Sequence, residues 1–156
     1  MSARIHRQAF TLIEVLIVVI IMAVLAATII PQFSSSHNDA KDSSLKFNLH
    51  TIRSQIELYK VHHLAKAPTL ASFKVQMCEK SDVNGTKTGE LLYGPYLQGD
   101  IPQNPFNGKN TVVAVAAAGV TPTGVVAGGA GWQYDESNGN FYPNNSEYYA
   151  AGGGGS

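Results

Sequence analysis

A single carboxylate lies inside the longest apolar stretch of this chain. Between Phe10 and Gln32, Glu14 is the only ionisable residue. A carboxylate about one turn inside a membrane helix is costly, so such a residue is a functional-site candidate by default. Pairing with a positive group would offset part of its desolvation. The alternative interpretation is that Glu14 only extends toward the headgroups at the edge of a bilayer.

The other reactive side chains form no catalytic or metal-binding arrangement. Cys78 is the only cysteine, so it has neither a disulfide partner nor a C-x-x-C spacing. His62 and His63 are adjacent and would point about 100° apart on a helix, so they do not converge on one metal ion. We expect both histidines to face solvent at a helix end. The sequence therefore predicts no catalytic residue, no metal site and no enzyme.

Charge and composition exclude further classes of function. The chain of 156 residues has 11 basic and 11 acidic residues, with neither a basic patch nor an acidic tail. Charged residues make up only 14%, which is low for a fully soluble domain, and the deficit lies in the apolar stretch. We therefore expect contact with a membrane and no nucleic-acid partner.

The apolar stretch is long enough to span a bilayer. Residues 10–30 number 21, and at ~1.5 Å per helical residue they cover a hydrocarbon core of ~30 Å. In lipid, a helix is the only single segment that satisfies its own backbone. Arg4, His6 and Arg7 precede the stretch without an acidic residue, which places the N-terminus in the cytoplasm. The sequence predicts a transmembrane helix over residues 10–30.

A second helical segment follows Pro31. Proline removes a backbone donor and clashes with the preceding turn, so we expect a kink or local opening there. Apolar residues then recur at spacings of four, three, four and three, which is typical of one stripe on an amphipathic helix. The stripe comprises Leu45, Leu49, Ile52, Ile56 and Tyr59. Residues 31–66 are therefore predicted to continue the helix, which should end before Pro68.

The remaining chain is rich in turn-forming residues. All 15 glycines lie at or after Gly85, which predicts strands, turns and loops over residues 67–150. Strands are expected at Thr111–Val115, Val125–Val126, Gly131–Tyr134 and Asn140–Tyr142, and Asn138-Gly139 favours a hairpin between the last two. Residues 151–156 resemble a flexible linker or an engineered tail. The predicted fold class is α+β, with a long N-terminal helix on a small C-terminal antiparallel sheet with long loops.

The predicted hairpin turn also contains oxygen-bearing side chains. Asp135, Ser137 and Asn138 are suitable calcium ligands, but about five further oxygens would be needed. A plain hairpin turn is the better interpretation, and no cofactor is expected.

The residues around Glu14 resemble a processing signature. Ala9-Phe10-Thr11-Leu12-Ile13-Glu14, after a short basic leader, is similar to the prepilin signature of the type IV pilin and type II secretion pseudopilin superfamily. The resemblance implies that a prepilin peptidase removes residues 1–9, cutting between Ala9 and Phe10, and methylates the new amino group. It also implies that Glu14 directs assembly by pairing with the amino group of Phe10, on a neighbouring subunit or its own. Ala9 stands where the family usually has glycine.

Further segments resemble the major pseudopilin of type II secretion: Ile56–Lys60, and Gly94–Leu97 with the following Ile101–Pro102 and Asn104–Gly108. Gly131–Asp135 with Gly139 resembles the closing hairpin of many pilin-like proteins. The resemblance implies a pilin-like fold and a homo-oligomeric helical filament. It implies a single-pass inner-membrane subunit with its globular part in the periplasm, and a periplasmic or cell-surface filament after assembly. The inner-membrane assembly machinery and minor pseudopilins would be its partners. The expected function is a structural pseudopilin of a type II secretion system.

Two alternatives remain open at this point. The first is a type IV pilin used for adhesion, motility or DNA uptake; many such pilins close a C-terminal disulfide loop, which a lone Cys78 does not allow. The second is an exported periplasmic domain with an ordinary signal peptide, its apolar region at Leu12–Leu25 and a cleavage site near Ala27. Glu14 within that apolar region and the helical stripe beyond Pro31 count against this alternative.

Overall fold

The structure is a computed structural model that describes the backbone of residues 10–153, with the side chains of residues 28–37 outside the described set. The chain divides into two compact units, up to Ala40 and from Lys41 onward. Its elements in chain order are α1 (Leu12–His62), a short 3₁₀ turn (Leu70–Ser72), α2 (Phe73–Cys78), β1 (Val112–Ala114), β2 (Trp132–Asp135), β3 (Asn140–Pro143) and α3 (Ser146–Ala150). The class is α+β, as predicted.

Helix α1 is assigned without interruption over 51 residues. The helix assignment continues through Pro31, whose side chain lies outside the described residues, so the kink there stays a prediction. At the other end, Leu64 and Ala65 have positive φ angles of 57° and 60°. The Ala65 N–H donates to the Lys60 carbonyl at 2.9 Å. Left-handed residues that satisfy the last carbonyls are a usual way to end a helix.

The first unit exposes an apolar helix surface. Every large apolar side chain from Phe10 to Leu25 is solvent-accessible in the isolated chain, and even the least exposed, Val18, is 49% exposed. Among the helices in the described part of the chain, none combines the length and the apolarity that crossing a membrane requires. Residues 28–30 of the predicted span lie outside the described side chains.

The second unit is built on the amphipathic part of α1. All five residues of the predicted stripe are buried. They pack with Phe73 and Met77 of α2 and with the aromatic residues of the hairpin, Trp132, Tyr134 and Phe141. Full burial of one large apolar side chain contributes about 1.5–3 kcal/mol, so this stripe is the main attachment between the helix and the sheet.

The sheet is mixed, and the prediction of an antiparallel sheet is wrong for its first strand. β2 and β3 are antiparallel, with Trp132 opposite Pro143 and Asp135 opposite Asn140. β1 runs parallel to β2, with Val112 opposite Trp132. The physical reason is the long connection between β1 and β2, because a parallel pair needs a crossover of a dozen or more residues. A hairpin loop joins only β2 and β3.

The strand expected at Val125–Val126 is absent from the assigned elements. Val126 lies in the connection between β1 and β2 and pairs with a side chain. Its N–H donates to Asn144 Oδ1 at 2.8 Å, and its carbonyl accepts from Asn144 Nδ2 at 3.1 Å. A single asparagine side chain therefore satisfies the backbone groups that a neighbouring strand would otherwise have bonded.

The hairpin between β2 and β3 forms where Asn138-Gly139 predicted it, with Gly139 at a φ of 81°. The buried Asp135 carboxylate accepts hydrogen bonds from the Ser137 N–H, the Ser137 hydroxyl and Asn138 Nδ2, at 3.0, 2.6 and 3.0 Å. It also accepts the Gly119 N–H at 2.6 Å. The oxygens of Asp135, one of the residues considered as calcium ligands, are thus bonded by donors from the turn and from Gly119.

The prediction that His62 and His63 face solvent is wrong. His63 is only 1% exposed, and His62 is half-buried. Both rings contact Tyr96, a residue more than thirty positions away in sequence. Their partner comes from a loop that folds back over the end of α1, which no local pattern around the histidines indicates.

Candidate functional site

Helix α1 begins with a capping box formed by Thr11 and Glu14. The Thr11 N–H donates to Glu14 Oε2 at 2.8 Å, and the Glu14 N–H donates to Thr11 Oγ1 at 3.3 Å. The Thr11 hydroxyl also donates to Glu14 Oε2 at 2.8 Å. This reciprocal pattern satisfies two backbone N–H groups that the first turn of a helix leaves without partners.

The sequence explains why the helix starts here. Threonine is a favoured N-cap residue, and glutamate three positions later is the partner that a capping box requires. A negative charge in the first turn also interacts favourably with the positive end of the helix dipole. The pattern Thr-x-x-Glu was therefore readable in the sequence, and Thr11 is a site residue that the sequence analysis did not single out.

The capping box fixes the orientation of the Glu14 carboxylate and occupies only one of its oxygens. Both hydrogen bonds from Thr11 end on Oε2. Within the part of the chain that the structure describes, Oε1 accepts no hydrogen bond. An ionised carboxylate has about four acceptor sites, so this group retains capacity for a donor from outside the chain.

Glu14 lies at a groove with otherwise apolar walls. The groove has a volume of ≈ 240 Å³ and is lined by Phe10, Glu14, Val15, Val18 and Val19. Phe10 precedes the helix and is 87% exposed. The structure thus places two of the predicted site residues, Phe10 and Glu14, on one surface of the helix start.

The other two predicted site residues are not placed. Ala9, before the predicted cleavage point, lies outside the described residues, and so does the side chain of Pro31. The geometry described for the site therefore rests on Phe10, Thr11 and Glu14.

Comparison with known proteins supports the signature. The family model "prokaryotic N-terminal methylation motif" matches residues 4–30, which include the basic leader, Phe10, the capping box and the apolar helix. The resemblance to the type IV pilin and pseudopilin superfamily that the sequence predicted is thereby confirmed.

One curated relative is the type II secretion system core protein G of Pseudomonas aeruginosa. It is 35% identical over 64 residues, which cover 41% of this chain and 45% of the relative. The match thus spans less than half the length of that protein. No solved structure matches this chain significantly.

Proposed function

We propose that this chain is a structural subunit of a pilin-like filament and acts as a pseudopilin of a type II secretion system. The observation that carries the proposal is the methylation motif at residues 4–30, in which Thr11 orients Glu14 beside the exposed Phe10. The similarity to the secretion core protein G supports the choice of pseudopilin. The protein is proposed to act by assembly and to catalyse no reaction.

Processing creates the positive group that Glu14 needs. In the proposed pathway a prepilin peptidase removes residues 1–9 and methylates the amino group of Phe10. That amino group becomes a cation at the start of an apolar helix. Leaving either charge alone in an apolar environment is expensive, whereas pairing them offsets part of both desolvation costs. The open Oε1 of Glu14 is the acceptor we assign to the amino group of a neighbouring subunit.

The exposed apolar surface from Phe10 to Leu25 has two proposed environments. Before assembly it lies in the inner membrane, as a single-pass segment with the N-terminus in the cytoplasm, because Arg4 and Arg7 precede it. After assembly it lies in the filament core among identical helices. A helix that is apolar on all sides requires lipid or protein around it, and both environments meet that requirement.

The remaining partners follow from this pathway. The subunit requires the prepilin peptidase, the inner-membrane assembly machinery and minor pseudopilins, and its globular part is proposed to lie in the periplasm. Calcium stays outside the proposal, because Asp135 already accepts hydrogen bonds from Gly119 and Ser137. The alternative of a type IV pilin shares the same processing and differs in the machinery that assembles it.

A matched pair of substitutions at Glu14 tests the proposal. Glu14→Gln keeps the size of the side chain and removes its charge, whereas Glu14→Asp keeps the charge on a shorter chain. In a host with the assembly machinery, E14Q should insert into the membrane normally and yield about tenfold fewer filaments. The reason is that breaking a buried charge pair costs more than about 1.4 kcal/mol of free energy, which corresponds to a factor of ten. E14D should retain more assembly than E14Q. Wild-type filament yield from E14Q would refute charge pairing at this position.

A further inference from the structure

Two histidines at the end of α1 share one tyrosine hydroxyl. His62 Nδ1 and His63 Nε2 each lie 3.0 Å from the Tyr96 hydroxyl oxygen. The second ring nitrogen of His63, Nδ1, lies 3.1 Å from the Val83 carbonyl oxygen. The His63 ring also stacks on Tyr59 with a centroid distance of 3.9 Å, and the His62 ring stacks on Tyr93 at 5.0 Å. Neither contact has a role in the proposed filament pathway.

The partners fix where the protons lie when both histidines are neutral. A carbonyl oxygen only accepts, so His63 Nδ1 carries the proton and His63 Nε2 must accept from the Tyr96 hydroxyl. The Tyr96 oxygen then accepts from His62 Nδ1. Burial raises the pKa of Tyr96 to about 12, so the phenol keeps its proton at any physiological pH. The result is one directed chain from His62 through Tyr96 and His63 to Val83.

Protonation of His63 forces this chain to reverse, and a second proton breaks it. If His63 becomes an imidazolium, its Nε2 also becomes a donor, so the Tyr96 hydroxyl loses that nitrogen as its acceptor. The hydroxyl must then donate to His62 Nδ1 instead, and this requires the His62 tautomer that has no proton on Nδ1. If both histidines are protonated, two donors face one oxygen, the phenol proton loses its acceptor, and two positive rings lie side by side. A buried polar group left without a partner costs about 1–3 kcal/mol.

The surroundings of His63 also favour its neutral form. Burial lowers the pKa of His63, and the neighbouring His62 adds to that effect, although the Val83 carbonyl and the charge of Asp82 oppose it. Asp82 is itself engaged by its own loop, through the Thr86 N–H and hydroxyl and the Asn84 N–H. The other titratable groups that face the ring are the phenols Tyr59, Tyr93 and Tyr96.

We propose that His62, His63 and Tyr96 form an acid-sensitive latch, which holds the segment of residues 79–97 on the end of α1 and releases it on protonation. The segment contributes Val83, Tyr93 and Tyr96, the last residue of α1 is His62, and His63 begins the turn that follows. Outside the latch, the segment is held to α2 by hydrogen bonds: Gln76 Nε2 donates to the Gly85 carbonyl at 3.2 Å, and the Tyr96 and Leu97 N–H groups donate to the Met77 carbonyl. Tyr96 and Leu97 also pack in the core, so the latch holds chiefly the part of the segment before them.

The sign of the pH dependence follows from the neutral histidine. A base whose pKa is lower in the folded state stabilises that state fully above its ordinary pKa of about 6.5. This stabilisation is lost progressively as the pH falls below that value. The latch is therefore closed at neutral pH and opens in acid.

Hydrogen exchange on the full-length protein in detergent micelles tests the latch. Exchange is measured at about pH 7.5 and about pH 5 and corrected for the intrinsic chemical rate. Peptides from residues 79–97 should exchange at least about fivefold faster in acid, since a buried polar group left without a partner costs about 1 kcal/mol or more. Peptides from the hairpin of β2 and β3 should change by less than about twofold, because in the described residues the hydrogen bonds and ring contacts of His62, His63 and Tyr96 do not reach the hairpin.

Two variants separate the latch from general acid unfolding. His63→Gln removes the titrating ring, so the difference between the two pH values should fall below about twofold in residues 79–97. His50→Gln, an exposed histidine on the same helix, should behave like the wild-type protein. An unchanged acid response in H63Q, or a parallel rise in the hairpin, would overturn the proposal.

A direct titration covers the case in which H63Q does not fold. The imidazole resonances of the wild-type protein, followed by NMR, should give His63 a pKa below about 6.5. The backbone amide resonances of residues 79–97 should change over the same pH range as the segment opens. A His63 that titrates at or above the ordinary value would equally overturn the proposal.

Discussion

Thr11 and Glu14 hold each other at the first turn of α1, through two hydrogen bonds from Thr11 to Glu14 Oε2 and one from the Glu14 N–H to Thr11 Oγ1. The carboxylate that the sequence analysis assigns to filament assembly is thus also the partner of the helix cap. Its position is set before any neighbouring subunit arrives. Preorganisation of this kind reduces the conformational entropy that the side chain loses on assembly.

Removing the Thr11 hydroxyl should weaken assembly without removing the charge of Glu14. Thr11→Val keeps the shape of the side chain and loses two of the three hydrogen bonds, at a cost of about 1 kcal/mol to the helix start. We expect unchanged membrane insertion and a reduced yield of filaments, measured in sheared fractions and by electron microscopy. Thr11→Ser, which restores the hydroxyl, should restore the yield. Equal yields from T11V and T11S would show that the cap does not contribute.

The buried stripe of α1 should account for much of the stability of the second unit. Ile56 is fully buried, so Ile56→Ala should lower the free energy of unfolding by about 2–5 kcal/mol. Val61 is 78% exposed on the same helix, and Val61→Ala should change it by less than about 0.5 kcal/mol. Denaturant titration of the full chain in micelles, followed by the fluorescence of the single, buried Trp132, measures both. Similar losses in the two variants would contradict the packing described for Ile56.

Asp135 should make the hairpin turn sensitive to strong acid. Burial raises its pKa, but the hydrogen bonds from Ser137, Gly119 and Asn138 outweigh burial, and the net pKa is lowered. A carboxylate with a lowered pKa stabilises the fold above its ordinary pKa of about 3.9, and the contribution is lost as the pH falls through the folded-state value.

Asp135→Asn is the matched variant for this effect. It should be less stable than the wild-type protein by about 1–3 kcal/mol at neutral pH, because charged acceptors form the stronger hydrogen bonds. The difference should shrink below about pH 4, where the wild-type carboxyl is also neutral. Any histidine titration is common to both proteins and cancels in the comparison. A difference that stays constant down to about pH 2 would contradict the role of the charge.

The sequence predicted those parts of the structure that depend on local patterns. The stripe from Leu45 to Tyr59 follows from helical periodicity, and the hairpin follows from Asn138-Gly139. The prepilin signature is a contiguous motif and was recognised as such. Its capping box was also local, but the carboxylate of Glu14 was considered only as a buried charge.

The parts that were predicted wrongly depend on contacts distant in sequence. The direction of β1 follows from how a long connection crosses the sheet, and Val126 is bonded by the side chain of Asn144. His63 is buried because Tyr96 and Val83 come from a loop that returns to the helix. Periodicity carries no information about such pairings, because they join segments whose separation is set by the tertiary fold.

Mass spectrometry of the N-terminal peptide, on protein from the membrane fraction of the native host, tests the filament-subunit proposal most directly. A mature chain that starts at N-methylated Phe10 is the predicted result, and Phe10→Asp should block processing in the same host. A chain that starts near Thr28 would contradict the proposal. Such a product would be an ordinary exported domain, and Glu14 would have been removed with its signal peptide.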